Sequence, residues 1–304
     1  MMSENRSILQ SIVKLRAVVP EDAFTAGILG SERLGNGIVI GADGLILTIG
    51  YLITEATDVW LTVNGREVAG HALAYDQVTG FGLVLPLEAL DVAPLQLGSS
   101  AGIQAGDTAR LLRHPEFARE QEVEILLRRE FAGTWEYLVD GAIFTVPAHP
   151  HWSGAALVDH QGSLVGLGSL LVRETVSGEE TNANMFVPID LLKPILNDLL
   201  TRGRANRQTR PWLGVYAVEV SGKVYVTGVA DGSPAQIADM REGDLISQVG
   251  DIEVRTLAQF YRVLWSTGPA GIGVPLTLVR GGTVVNLLVK SVDRTALLKR
   301  PQAH

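Results

Sequence analysis

Up to about residue 189 the chain is a succession of short apolar runs, broken by turn signals at roughly ten-residue spacing. That rhythm predicts an all-β barrel or sandwich. Val13, Leu15, Ala17 and Val19 alternate with Lys14, Arg16 and Val18, the period of two of a strand with one wet face. The two apolar runs of GNGIVIGADGLILTIGYLI meet at Ala42-Asp43-Gly44, which reads as a hairpin. Asn64-Gly65, between WLTV and REVA, is the strongest short hairpin signal. Further apolar runs lie at 82–87, 109–112, 123–127 and 142–146, and no helical period of useful length precedes residue 189.

The first good helix pattern starts at Asp190. Asp190 is the expected N-cap, Pro194 falls in the first turn, and Gly203 stops the helix. The segment RGRANRQTR that follows is polar and without apolar period, so it reads as a linker whose arginines serve solubility. After Pro211 a compact module restarts, with strands at 213–220 and 224–229. Thr256 with Gln259 three residues later is a capping box, and Leu257, Phe260, Tyr261, Leu264 and Trp265 make one apolar stripe at helical spacing. Gly281-Gly282 turns a last hairpin. At 304 residues, two domains are the expectation.

The formal charge of −8 argues against binding to phosphate backbones. The absence of cysteine excludes disulfides, thiol catalysis and thiolate metal sites. No apolar run approaches the ~18 residues that span a bilayer. Lys14 and Arg16 interrupt what would be the apolar core of a signal peptide, so the reading leans to the cytoplasm, or to the periplasm if a leader was trimmed.

The chemistry concentrates in Pro147–Val158, PAHPHWSGAALV, a Ser-Gly pair in a small-residue turn before an apolar run. A serine on a tight turn between strands is one way to present a nucleophile to a carbonyl. His151-Trp152-Ser153-Gly154-Ala155-Ala156-Leu157-Val158, followed by a turn at Gln161-Gly162, resembles the GNSGGPLV loop of HtrA-family serine proteases. In the same order, GNGIVIGADGLILTIGYLI is similar to their DGYILTNNHVV segment. GSSAGIQAGDTARLL is similar to their GDS…VGD stretch, and NMFVPIDLLKPILNDLL to the segment closing the protease domain. WLGV…GSPAQIADMREGDLI resembles a PDZ domain. The resemblance implies a mostly β chain: a trypsin-like double β-barrel over 1–201, a linker over 202–210, a PDZ domain of α+β type over 211–294, and a tail over 295–304.

Carried over position by position, the resemblance puts Tyr51 where the family has its histidine base and Gly80 where it has the aspartate. Ser153 is retained, and His151 stands at the glycine whose N–H helps hold the oxyanion. An isolated serine is a weak nucleophile, and a phenol of ordinary pKa is no efficient base at neutral pH. Trp152 would fill space beside the nucleophile. His149 and His151 are weighed as substitute bases or metal ligands. Spacing on an extended segment and the lack of nearby acidic or thiolate partners favour plain loop histidines, as for His71 and His114.

In the PDZ half, the resemblance places Trp212, Leu213, Gly214 and Val215 in the loop that takes a peptide C-terminal carboxylate. Trp212 is expected to cap the groove. The peptide would add beside 215–218, with Phe260, Tyr261 and Leu264 as wall, unless that stripe is simply core. The expectation is a pseudoprotease that binds C-terminal peptides or unfolded proteins, without cofactor or metal. The alternatives are a serine endopeptidase with an altered site around Ser153, and a subunit that assembles with itself or with HtrA-like chains.

Overall fold

The structure is a computed structural model, and it describes residues 8–118, 120–176 and 178–299. The chain divides into two compact units. Among the described residues, one comprises those of 8–129, 141–206 and 298–299; the other comprises 130–140 and 207–297.

The first unit holds two closed barrels. In one, β1 (Ile12–Val18), β2 (Glu32–Val39), β3 (Ile46–Ile49), β4 (Asp58–Val63), β5 (Arg66–Tyr75) and β6 (Phe81–Pro86) close in the order β1-β2-β3-β6-β5-β4. β1 buries Val13, Leu15 and Ala17 completely while Lys14 and Arg16 keep contact with water, as its period of two requires. The β4–β5 hairpin turns at Asn64 (φ 50°) and Gly65 (φ 78°), the paired left-handed residues of a twist-matched two-residue turn. The second barrel uses β7 (Thr108–Leu112), β8 (Glu120–Gly133), β9 (Tyr137–Val146), β10 (Ala156–Val158), β11 (Leu164–Val176) and β12 (Glu179–Pro188), in the order β10-β11-β12-β9-β8-β7. Leu111, Ile125, Ile143, Leu157 and Phe186 fill it without exposure.

The second unit is one sheet of β13 (Val215–Val220), β14 (Lys223–Val229), β15 (Leu245–Val249), β17 (Gly273–Arg280) and β18 (Thr283–Lys290), with β16 (Ile252–Glu253) paired to β15. Ser233 caps the short helix Pro234–Ile237, and Thr256 caps the helix Leu257–Ser266 through the Gln259 N–H at 3.1 Å. The reciprocal bond of the expected capping box goes one residue further out, from Arg255 N–H to Gln259 Oε1 at 2.9 Å.

Four sequence readings need correction. Asp190 caps no α-helix: the α-helix there is Leu196–Arg202, entered through Ile195. The Asp190 carboxylate instead ties down Ser99, Ser100 and Lys193, which hold it well below the usual carboxylate range despite its desolvation. Arg210 does more than keep the connecting segment soluble, since its guanidinium lies 4.0 Å from the centre of the Trp265 ring. His114 is buried: its own N–H donates to Asn36 Oδ1 at 2.8 Å, and its Nδ1 accepts from Glu116 N–H. Residues 130–140, from the middle of the barrel sequence, count with the second unit, and residues 298 and 299 count with the first, where Lys299 N–H donates to Glu55.

Candidate active site and peptide-binding groove

Ser153 sits in the loop between β9 and β10, and the first barrel holds that loop from behind. Asn36 N–H donates to the Ser153 carbonyl at 2.8 Å, and Asn36 Nδ2 reaches the same oxygen at 3.0 Å. Thr48 Oγ1 in turn donates to the Asn36 carbonyl at 2.8 Å. This close approach explains the Gly35-Asn36-Gly37 spacing: a Cβ on Gly35 would meet Leu52 at 2.5 Å and the Ser153 carbonyl at 2.8 Å. Gly154 has φ +70°, and a Cβ there would lie 2.0 Å from the Asn36 carbonyl oxygen. No sequence signal pointed to Asn36.

The partner of Ser153 Oγ is a phenol. Tyr51 Oη lies 2.8 Å from Ser153 Oγ and 2.8 Å from the carbonyl oxygen of Ser169. That carbonyl can only accept, so the single phenol proton is committed to it and the serine hydroxyl donates to the phenol oxygen. A neutral phenol oxygen has no useful affinity for a second proton. Burial of the hydroxyl end pushes the Tyr51 pKa up to about 12, against the pull of the Ser153 and Trp152 hydrogen bonds. At pH 7 only about one molecule in 10⁵ would carry the phenolate. Arg33, itself buried, fixes this segment by donating to the Tyr51 carbonyl at 2.6 Å and the Thr54 carbonyl at 2.9 Å.

Gly80 offers no side chain to orient a base. It has φ 86°, its N–H donates to the Asp76 carbonyl, and its own carbonyl accepts from Gly50, both at 2.7 Å. The Asp76 carboxylate is turned into its own loop, where Thr79 N–H and Oγ1 donate to it at 3.0 and 2.6 Å.

Around the serine, His151 N–H is not free. It donates to His149 Nδ1 at 3.1 Å, and the His151 ring stacks on Phe117 with centroids 4.6 Å apart. Burial, with Arg113 and His151 nearby, lowers the His149 pKa to about 4, so the ring stays neutral and keeps Nδ1 as acceptor at neutral pH. Trp152 Nε1 donates to the same Ser169 carbonyl as Tyr51, at 3.1 Å, which anchors the indole beside the serine. Among the described residues no imidazole or carboxylate hydrogen-bonds Ser153 Oγ, and no group of three His, Asp or Glu side chains is arranged to hold a metal.

In the second unit, Leu213, Gly214 and Val215 turn their N–H groups onto one point. Gly214 has φ +81°, and a Cβ there would lie 2.3 Å from Ser233 Cβ. The point is filled by the Glu136 carboxylate. Gly214 N–H donates at 2.7 Å and those of Leu213 and Val215 at 3.1 Å, all to Oε1. Burial pushes the Glu136 pKa up to about 7, although the three N–H donors and Arg294 pull it down. Trp212 does not cap a groove: it is 7% exposed, its ring packs under Gly214, and Arg294 lies over it at 5.9 Å. Leu257, Phe260, Tyr261 and Leu264 are all buried in the core of this unit, so the stripe is core first. Of these, Tyr261 also sends its hydroxyl to the segment that carries Glu136, donating to the Gly133 carbonyl at 2.7 Å.

Comparison with known proteins agrees with this architecture. Residues 35–167 match the trypsin-like peptidase domain family and residues 211–290 the PDZ domain family. The chain is 26% identical over 275 residues to a DegP-like periplasmic serine endoprotease of Hahella chejuensis, covering 86% of this chain and 57% of that one. It is 23% identical to the serine endoprotease DegS of Haemophilus influenzae, covering 85% and 76%. The Do-like HtrA serine protease of Lactobacillus helveticus is 25% identical, over 87% and 70%. Thus the chain spans little more than half the length of the DegP-like relative. Solved structures of the HtrA-type protease AlgW, with a tripeptide and with a decapeptide, share the fold at TM-scores of 0.56 and 0.57, at 20% identity and over 98% of each chain. The chain is therefore similar to HtrA-type proteases over most of its length and shares their fold, a trypsin-like peptidase fold followed in sequence by a PDZ domain.

Proposed function

We propose that this chain is an HtrA-like pseudoprotease: it does not hydrolyse peptide bonds, and it acts by binding peptides or unfolded proteins through its PDZ domain. The observation that carries the first half is the bond between Ser153 Oγ and the neutral phenol of Tyr51. Serine attack needs a group that takes its proton, and a phenol raised to about 12 does not supply one. Gly80 adds no orienting carboxylate, and the N–H at the oxyanion position is held by His149. The second half rests on the PDZ family match and on the convergent N–H groups of Leu213, Gly214 and Val215, a carboxylate-binding arrangement. For the compartment we favour the periplasm, because relatives are named periplasmic. The lean to the cytoplasm finds no support among them.

The test is fluorophosphonate labelling of the purified full chain, with casein digestion alongside. The expected result is no labelling of Ser153 and no cleavage. Stoichiometric labelling that disappears in Ser153→Ala would return the chain to the serine endopeptidases with an altered site.

A further inference from the structure

The PDZ carboxylate nest is occupied, and its occupant belongs to the same chain. Glu136 lies in the turn between β8 and β9, within the segment 130–140 that counts with the second unit. Its carboxylate takes the N–H groups of Leu213, Gly214 and Val215, and the residue as a whole is 9% exposed. Two residues back along the turn, the Thr134 carbonyl accepts from Ala217 N–H at 2.9 Å, two residues on along β13. This one main-chain bond runs in the antiparallel sense along the edge of β13, two residues back on the turn for two residues on along the strand. On the opposite wall, Tyr261 Oη donates to the Gly133 carbonyl at 2.7 Å and accepts from Glu136 N–H at 3.1 Å. At the rim, Arg262 pairs with Glu130 and, at 3.0 Å, with Asp140. Ala132 and Leu138 pack on the core of the unit.

A peptide that binds by strand addition and terminal-carboxylate capture uses these same elements: the nest, the edge of β13 and the wall of the helix Leu257–Ser266. The turn reproduces them with a side-chain carboxylate where a chain end would be. The residue choice supports a selected ligand. Glu136 has φ 59°, the left-handed position of a three-residue hairpin turn, where glycine is the ordinary occupant and a glutamate is strained.

We infer that Glu136 is the resident ligand of the PDZ nest, so that a C-terminal peptide binds this chain only by displacing the 133–137 turn. The inference rests on the peptide-binding reading for its competitor, but the occupancy stands on its own contacts. If the turn leaves the groove open in a tenth of molecules or fewer, the apparent affinity for any competing peptide falls at least tenfold.

The experiment uses the full chain as wild type, Glu136→Gln and Glu136→Gly. Glutamine keeps the shape without the charge, and glycine fits φ 59° without strain. The probe is a fluorescein-labelled decapeptide ending in Ala-Leu-Val with a free carboxylate, and the same peptide amidated. Amide hydrogen exchange of 133–137 is followed in parallel. Both variants are expected to bind the acid peptide at least tenfold more tightly than wild type and to exchange faster across 133–137, and the amide should bind weakly to all three. Unchanged exchange together with equal affinity of wild type and variants for the acid peptide overturns the resident ligand while leaving peptide binding intact. Faster exchange in the variants with no binding of either peptide supports the resident ligand and removes the peptide-binding reading.

Discussion

Consider rebuilding the catalytic residues in steps. Tyr51→His and Gly80→Asp together restore the residue types that the HtrA resemblance calls for. Two features of the structure oppose recovery. Gly80 has φ 86°, and an aspartate in a left-handed conformation costs about 1 kcal/mol, so the new carboxylate tends to relax away from the base. More costly, His151 N–H donates to His149 Nδ1 instead of standing free for an oxyanion. One missing oxyanion donor lowers kcat by roughly 10²–10³, or about 3–4 kcal/mol of transition-state stabilisation. The double variant should therefore stay at least about a hundredfold below an active HtrA-type protease. Adding His151→Gly, which gives the loop the freedom to turn its N–H, should recover most of that factor. The assay is kcat/KM on a fluorogenic peptide with the rate of fluorophosphonate labelling, each against a Ser153→Ala background. If the double variant alone matches an active HtrA-type protease, the oxyanion loop was competent and the geometry around His149 and His151 was misread.

Three further outcomes are expected. Tyr51→Phe removes the hydroxyl shared by Ser153 and Ser169 and should cost about 1 kcal/mol in a denaturant melt while leaving fluorophosphonate labelling absent; a gain of labelling would show that the phenol was shielding a reactive serine. Gly214→Ala places a Cβ 2.3 Å from that of Ser233 at φ +81°, so the second unit should lose at least about 2 kcal/mol, and an unchanged melt would refute the close packing. The His149 pKa falls from 6.5 unfolded to about 4 folded, so the unfolded chain binds the proton more tightly; its contribution to stability is complete above 6.5 and is lost as pH falls towards 4. An NMR titration placing His149 at or above 6.5 would contradict this.

Much of the fold is legible in the sequence because its determinants are local. Alternation along β1 decides which face is buried, and Asn64-Gly65 and Gly281-Gly282 decide where strands reverse, through conformations that only their neighbours need to tolerate. The identities at Tyr51, Gly80 and Ser153 are equally plain, but their meaning is tertiary: the bond between the Tyr51 phenol and the Ser153 hydroxyl joins residues 102 positions apart. Local reading also misplaced side chains whose partners lie far along the chain, such as Asp190 bound to Ser99 and Ser100, and Trp212 packed beneath its own loop. Glu136 carried no signal at all. Its carboxylate is one among many along a charged strand hairpin, and only folding brings it to three N–H groups 77 to 79 residues away. Period and turn chemistry determine elements because they act between neighbours, whereas which proton, carboxylate or N–H meets which is decided by packing between segments that no local pattern relates.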